Sequence, residues 1–272
     1  MRSEGFLSRN IAGLAQALES SMTADDLSRK QGFLQGLDPR AKVAGFLLLV
    51  VTAGLLSNLA LLVALFVIVL TLVFLSRISL AFFLKRVLFF IPLFTAVIAV
   101  PALFTTPGTP LWHIGSNVSV TEQGLLASAF LFARVTASLS LGILLILTTR
   151  WTDLLAALRW FRLPALIVSI VAMTYRYIFL FLHTANNMFM ARRSRTVARF
   201  PDAANRRWLG QTLAAAMAKS QHLSEEVYLA MLSRGYGGEV ITLDNLRAGG
   251  RDFVWLTSTI LITTTLLWVN YL

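Results

Sequence analysis

Two short arginine stretches are the features of this sequence whose residue types and spacing most suggest a binding chemistry. The first comprises Arg192, Arg195 and Arg199, which follow i, i+3, i+7 spacing on one face of a predicted helix, and the second is Arg234, three residues after Met231 and just before Gly235. Both stand where the pattern predicts the end of a helix, and the helix dipole favours arginine there, so a structural role is one interpretation. An exposed arginine can also form forked hydrogen bonds to carboxylates or carbonyls of a partner, and both roles are compatible.

Catalytic and metal-binding groups are scarce. The chain has no cysteine, and His113, His183 and His222 are far apart without carboxylates at ligand spacing, so we predict no metal site. No Gly-x-x-x-x-Gly-Lys-Ser/Thr phosphate loop occurs. A membrane-embedded enzyme would need clustered acids, histidines or a nucleophile–base pair, and no such pattern stands out. We therefore expect no enzymatic activity and no cofactor in this chain.

The composition predicts an integral membrane protein. Of the 272 residues, 57% are hydrophobic and only 14% are charged, whereas a soluble domain carries about a quarter of charged residues. The 24 lysines and arginines exceed the 13 acidic residues and give a net charge of +11. In a membrane protein this excess is typical of cytoplasmic loops, so we expect the lipid bilayer rather than nucleic acid as a partner.

Five apolar runs are long enough to cross a bilayer, which needs about 20 residues of helix. They cover residues 41–57, 59–76, 87–106, 125–149 and 253–271. Lysines and arginines precede the first run and follow the second, whereas the connections after the first and third runs have none. This bias places the N-terminus in the cytoplasm.

A sixth apolar run, 163–184, has Arg176 in its middle and the densest basic segment after it. If this run crossed, that segment would lie outside, against the charge bias. We therefore predict an all-α protein of the inner (cytoplasmic) membrane with five transmembrane helices; a sixth crossing or a re-entrant helix is the alternative. The predicted regions are a cytoplasmic segment 1–40, four spans over 41–149, a cytoplasmic region 150–252 and a final helix 253–272.

The cytoplasmic region is predicted to contain three helices. Thr152 suits the cap of a short helix, Pro164 the first turn of a long one, and a third runs from Asp202 or Asn205 to Gly235. Apolar residues follow one side of the third helix, which makes it amphipathic and is most often the sign of a face buried against another helix. These residues are Leu209, Leu213, Met217, Leu223, Val227 and Met231.

Polar residues at or within the spans have structural interpretations. Asp38 and Pro39 suit the N-cap and first turn of the first span. Arg134 lies inside the fourth span, where a buried charge needs a partner, and Glu122 is available; a structural pairing is as plausible as a functional one. Arg176, between two tyrosines, is typical of an interface anchor or a helix-to-helix bond.

The sequence resembles a known family. Leu37-Asp38-Pro39-Arg40-Ala41-Lys42 is similar to the LDPRxK opening of the transmembrane T component of energy-coupling factor (ECF) transporters, the CbiQ/EcfT family. Within the arginine stretches, Ser194-Arg195-Thr196 and Ser233-Arg234-Gly235 resemble that family's Ala-Arg-Gly motifs, with serine for alanine in both and threonine for glycine in the first, where Arg192 or Arg193 are alternatives to Arg195. The resemblance runs from Leu37 to the C-terminus, and residues 107–112, 149–154 and 173–177 look most like the cobalt-type branch.

The resemblance implies a non-catalytic subunit of an ATP-driven importer. Such a T component scaffolds a substrate-binding membrane subunit and two cytoplasmic ABC-type ATPase subunits, which bind the ATP and Mg. Arginines at the ends of two coupling helices dock in the ATPases, whose closure moves the helices. The implied substrate is cobalt, with nickel or a vitamin as alternatives. A self-sufficient secondary transporter is the alternative of another class, but it needs polar midplane residues and internal repeats.

Overall fold

The computed structural model describes residues 32–89, 95, 101, 109–113, 119–195, 202–237 and 249–272. The described part contains eight helices and one two-stranded hairpin. The helices are α1 (Pro39–Leu55), α2 (Leu59–Leu75), α3 (described over 80–89), α4 (Glu122–Thr148), α5 (Trp151–Trp160), α6 (Ala165–Arg195), α7 (Asp202–Leu232) and α8 (Gly250–Tyr271). Strands β1 (Pro110–His113) and β2 (Ser119–Thr121) pair antiparallel in the connection before α4. This hairpin is the one departure from the predicted all-helical chain within the described residues.

Three helices in the described part are long and apolar enough to cross a membrane. They are α4, residues Ala165–Arg192 of α6, and α8, and α2 is a shorter apolar helix. The bounds of α1, α2, α4 and α8 agree with four of the predicted spans to within a few residues, while most of the predicted third span lies outside the described residues. Because α6 meets the same criterion, length and composition permit the sixth crossing, and the count of five remains a prediction.

Contacts along the chain define two compact units. Among the described residues, one unit comprises residues 158–195 and 202–237, and the other comprises the described residues between 32 and 157 together with residues 249–272. The second unit therefore holds α1 to α4 and α8, and the first holds α6 and α7. The unit boundary falls within α5.

In the second unit, α1 packs against both α8 and α4, and α4 also packs against α2. Helices α1 and α8 run parallel, because Asp252 at the start of α8 accepts a hydrogen bond from Asp38 and Asn270 near its end accepts one from Ser57. Their shared core is apolar and includes Phe46, Leu49, Ala53, Leu62, Leu65, Leu141, Leu144 and Trp255. The outward side chains of these helices are also apolar and exposed, as expected of a surface that faces lipid.

In the first unit, α6 and α7 form an antiparallel hairpin. Phe189 near the end of α6 meets Trp208 near the start of α7, with ring centroids 5.1 Å apart. Towards the other end, a groove of about 590 Å³ lies between the helices, with Tyr177 on one side and Val227 on the other. Each helix has 31 residues, or about 46 Å at 1.5 Å per residue.

Two predicted helix starts are wrong by one or two residues. Helix α5 begins at Trp151, and the carbonyl of Arg150 accepts the Leu154 N–H at 2.9 Å, so Thr152 lies within the first turn instead of capping it. Pro164 precedes α6 instead of lying in its first turn, and its carbonyl accepts hydrogen bonds from Ile167 and Val168. Both differences are of the size usual for helix ends.

Candidate functional site

The second arginine stretch ends α7 in a Schellman turn. The Gly235 N–H donates to the Leu232 carbonyl at 3.0 Å. The Tyr236 N–H donates to the Met231 carbonyl at 3.1 Å, which completes the hydrogen-bond pair of this motif. Gly235 adopts φ of +79°, a conformation that glycine tolerates better than any residue with a Cβ. Arg234 is therefore the last residue before the chain turns, and it is exposed.

In the first arginine stretch, two of the candidate arginines have different environments. Arg192 is half-buried, and its guanidinium lies 4.2 Å from the ring centroid of Trp208, a cation–π contact. Arg195, one turn further on, is exposed at the last described residue of α6. Thr196 and the side chain of Arg193 lie outside the described residues. Of Arg192 and Arg195, only Arg195 presents its charge outward.

The serines that replace the family's alanines bond to their own helices. The Ser194 hydroxyl donates to the Ala191 carbonyl at 2.9 Å, and the Ser233 hydroxyl donates to the Ala230 carbonyl at 3.0 Å. Such local bonds occupy the hydroxyl within the last turn of the helix. With both serine hydroxyls bonded to their own helices, the neighbouring Arg195 and Arg234 are the outward-facing polar groups.

The two exposed arginines lie at opposite ends of the α6–α7 hairpin. Arg195 lies at the end where Trp208 packs on α6, and Arg234 lies at the end where Tyr236 lines the groove with Leu166. The intervening α7 is about 46 Å long. A partner would therefore have to be large, or two partners would be needed, to contact both arginines.

The predicted apolar stripe of α7 is correct except at its two middle positions. Leu209 near the start of the helix is half-buried, and Leu223, Val227 and Met231 are half-buried and line the groove, as predicted. Leu213 and Met217 are 64% and 70% exposed, so their prediction as part of a buried face is wrong. Around these two positions the half-buried side chains are the smaller Thr212, Ala216 and Ser220.

Asp38 takes the predicted N-cap position of α1 and Pro39 the first helical position. The Asp38 carboxylate accepts the Arg40 N–H at 2.8 Å. The backbone N–H of Asp38 donates to Oδ1 of Asp252 at 2.7 Å, and Oδ2 of Asp252 accepts the Gly249 N–H at 2.6 Å. One buried carboxylate thereby joins the starts of α1 and α8.

Lys42, one turn into α1, joins a third helix to this place. Its Nζ donates to the carbonyl of Thr148, the last residue of α4, at 3.0 Å, and the lysine is only 2% exposed. The Trp255 Nε1–H donates to the Ala41 carbonyl at 3.2 Å. We refer to Asp38, Lys42, Thr148 and Asp252 as the polar cluster. Lys42 belongs to the LDPRxK motif, which gives no sign of its partner, and Asp252 could not be predicted because its partner is 214 positions away.

Arg134 has a structural partner. Its Nη2 donates to the carbonyl of Leu56, the C-cap of α1, at 2.7 Å, and its guanidinium lies 4.6 Å from the Phe130 ring centroid. A cation at a helix C-terminus is favoured by the dipole and by the carbonyls left without helical partners. Glu122, the acid that was available as a partner, does not pair with Arg134. The two residues are twelve positions apart on one helix, which separates them by about 18 Å.

Arg176 and the histidines show no binding geometry. Arg176 is exposed on α6, and no bond from it to another helix occurs among the described residues, so of its two interpretations the anchor remains. His222 forms an exposed pair with Glu226 at 3.4 Å. Within the described ranges, no three His, Asp or Glu side chains meet in a way that could hold a metal ion.

Helices that are long and apolar enough to cross a bilayer, with apolar outward side chains, define a membrane protein. A family model described as cobalt transport protein, CbiQ, matches residues 30–243. The chain belongs to this family, CbiQ/EcfT, whose members are transmembrane T components of energy-coupling factor transporters and are not themselves enzymes.

Relatives in bacteria and archaea support this membership. An uncharacterized protein of Methanocaldococcus jannaschii is 31% identical over 95% of this chain and 90% of its own length. The energy-coupling factor transporter transmembrane protein EcfT of Lacticaseibacillus paracasei is 30% identical over 85% of this chain and 92% of its own. The cobalt transport protein CbiQ of Rhodobacter capsulatus is 32% identical over 54% of this chain and 62% of its own.

Proposed function

We propose that this chain is the energy-coupling subunit of an ATP-driven ECF-type importer, which transmits the motion of two cytoplasmic ABC-type ATPase subunits to a substrate-binding membrane subunit. The observation that carries the proposal is the placement of Arg195 and Arg234, each exposed at the C-terminal end of a 31-residue helix, at opposite ends of one hairpin. About 46 Å of helix separates the two arginines. We refer to Arg195 and Arg234 as the tips, and their separation suits docking in two separate partners.

The chemistry of the tips supports ATPase docking. An arginine presents five N–H donors in a planar fork that matches carboxylates and carbonyls of a partner. The Schellman turn after Arg234 ends the helix abruptly, so the guanidinium is held on a rigid element. In this proposal Ser194, Ser233 and Gly235 shape the two ends, Arg192 packs on Trp208, and Thr196 and Arg193 are additional candidate contacts.

Cobalt is the proposed substrate, with nickel or a vitamin as alternatives. The description of the matching family supports cobalt, while the EcfT relative resembles more of the chain than the CbiQ relative does. In this proposal ATP and Mg bind the ATPase subunits, and substrate selectivity belongs to the substrate-binding subunit.

The polar cluster supports the five-span arrangement, in which the N-terminus and region 150–252 are cytoplasmic. The start of α1, the end of α4 and the start of α8 meet there, so the chain leaves and re-enters the helices of the second unit on one side. A crossing by α6 alone would put the start of α8 on the opposite side of the bilayer from the start of α1. That is incompatible with the hydrogen bond from Asp38 to Asp252.

The test replaces both tips, Arg195→Ala and Arg234→Ala, in the complex reconstituted with its ATPase and substrate-binding subunits. We expect the chain to insert normally and ATP-driven cobalt uptake to fall by about tenfold or more, since buried interface arginines contribute about 2 kcal/mol or more to binding. Uptake and the ATPase content of the purified complex are the measurements.

The matched control is Lys219→Ala, which removes one exposed cation from α7 away from its end. It should retain uptake within about twofold, because exposed cations without a partner contribute little. Normal uptake by the tip variant, or uptake by the purified chain without ATP and partners, would contradict the proposed function; the second result would favour a secondary transporter.

A further inference from the structure

We infer that Lys42 and Asp252 are positioning residues for energy coupling: they fix the two points at which the hairpin unit joins the transmembrane helices. The inference rests on the proposed function, because it concerns how hairpin motion reaches the membrane. It assigns the polar cluster a mechanical role in addition to its role in packing.

The path of the chain is the first step. After α4 ends at Thr148, only two residues precede α5, which leads into the unit that begins at Leu158. The described part of that unit ends at residue 237, and α8 begins at Gly250. Covalently, movement of α6 and α7 therefore reaches the membrane helices through the end of α4 and the start of α8.

Lys42 holds the first of these points. The carbonyl of Thr148 is among the last of α4, which have no partner within the helix, and the Lys42 ammonium supplies one at 3.0 Å. The lysine is 2% exposed, and a buried cation without such an acceptor would be costly. The bond thus resists separation of α4 from α1.

Asp252 holds the second point. Its carboxylate is 6% exposed and uses both oxygens, one for the N–H of Gly249 and the other for the N–H of Asp38. Charge-assisted hydrogen bonds of this kind are short and stronger than neutral ones. The start of α8 is thereby tied to the start of α1.

Both points converge on a single turn of α1. Asp38 and Lys42 are four residues apart, and the Lys42 N–H donates to the Asp38 carbonyl at 3.0 Å. Displacement of either connection therefore acts on the same turn, so α4 and α8 respond together. Without the cluster, displacement of the end of α4 or of the start of α8 would act on that helix alone.

The experiment uses the full reconstituted complex with Lys42→Met and Asp252→Asn, each alone. Methionine removes the donor while keeping a long side chain, and asparagine leaves one acceptor oxygen where Asp252 uses two. We expect assembly and ATP hydrolysis within about twofold of wild type, but cobalt transported per ATP lower by about tenfold, the size of a typical coupling free energy. Lys42→Arg, which keeps a cationic donor, should recover part of the coupling.

The matched control is Asp38→Asn, which removes the same charge from the same cluster. Asparagine is an equally good N-cap, and the Asp38 group that contacts Asp252 is its backbone N–H, so transport per ATP should stay within about twofold of wild type. Unchanged transport per ATP in both Lys42→Met and Asp252→Asn would overturn this inference and leave the proposed function intact. Failure of these two to insert while Asp38→Asn inserts would also overturn it, because the cluster would then act in folding. If the wild-type complex contains no ATPase subunit, the proposed function itself fails.

Discussion

Among single residues, Gly235 has the clearest control over a functional side chain. Its φ of +79° allows the Schellman turn, and this turn places Arg234 at the cap that follows α7. The glycine has nothing within 4 Å of its missing Cβ, so backbone conformation and not space selects it.

Gly235→Ala should therefore loosen the end of α7. Alanine pays about 1 to 2 kcal/mol to occupy the left-handed region, and we expect faster hydrogen exchange at the amides of residues 233–236. Gly210→Ala is the opposite case on the same helix. Gly210 is helical and has open space around its missing Cβ, so alanine there should stabilise α7 by about 0.5 to 1 kcal/mol. Equal exchange in the two variants would contradict the assigned role of the turn.

The residue-scale predictions succeeded where the determinant is local. The cap by Asp38 and the position of Pro39 follow from adjacent residues, and the structure confirms both. The partners of Lys42 and Arg134 are 106 and 78 positions away, and both are backbone carbonyls. A carbonyl has no signature in the sequence, so these pairs could not be predicted.

For the elements, close packing of α1 on α8 is the main determinant of the second unit. Small residues allow the helices of this unit to approach closely, and Ala53 on α1 and Ala137 and Ser140 on α4 are fully buried. At Gly45 of α1 a Cβ would lie 2.5 Å from Nε1 of Trp255 on α8, whereas Gly54 of the same helix has nothing within 4 Å of its missing Cβ.

Gly45→Ala should consequently separate α1 from α8. The indole is buried and bonded to the Ala41 carbonyl, so it cannot yield without loss of that bond, and overpacking of this kind costs about 1 to 3 kcal/mol. We expect a lower thermal midpoint of the detergent-solubilised protein. Gly54→Ala on the same helix should leave it unchanged, and an equal drop in both variants would contradict the packing described for Gly45.

The helices of the hairpin show why periodicity predicts an element better than its partner. The pattern correctly predicted a long α6 and an α7 that ends just before Gly235. It assigned the whole apolar stripe of α7 to one face, whereas in the middle of α7 the small residues Thr212 and Ala216 face inward. Leu213 and Met217 remain exposed. Apolarity alone does not distinguish a surface that packs on α6 from one that meets lipid or another subunit, so their exposure could not be predicted from the sequence.

On the scale of the whole molecule, the transport family and the membrane character followed from composition and motifs. The number of crossings did not, because α6 is as apolar as a span while the charge distribution argues against its crossing. The polar cluster favours five spans through a relation between α1, α4 and α8 that is invisible to a span-by-span analysis.

The side of the membrane on which α7 lies tests this account most directly, and the absence of native cysteine makes the measurement clean. Lys219→Cys and Leu272→Cys, both at exposed positions, are labelled separately with a membrane-impermeant thiol reagent in right-side-out and inside-out vesicles. A cytoplasmic hairpin with five spans predicts that Lys219→Cys reacts only in inside-out vesicles and Leu272→Cys only in right-side-out ones. The reverse pattern would show that α6 crosses, that α7 lies beyond the reach of cytoplasmic ATPases, and that the proposed coupling is wrong.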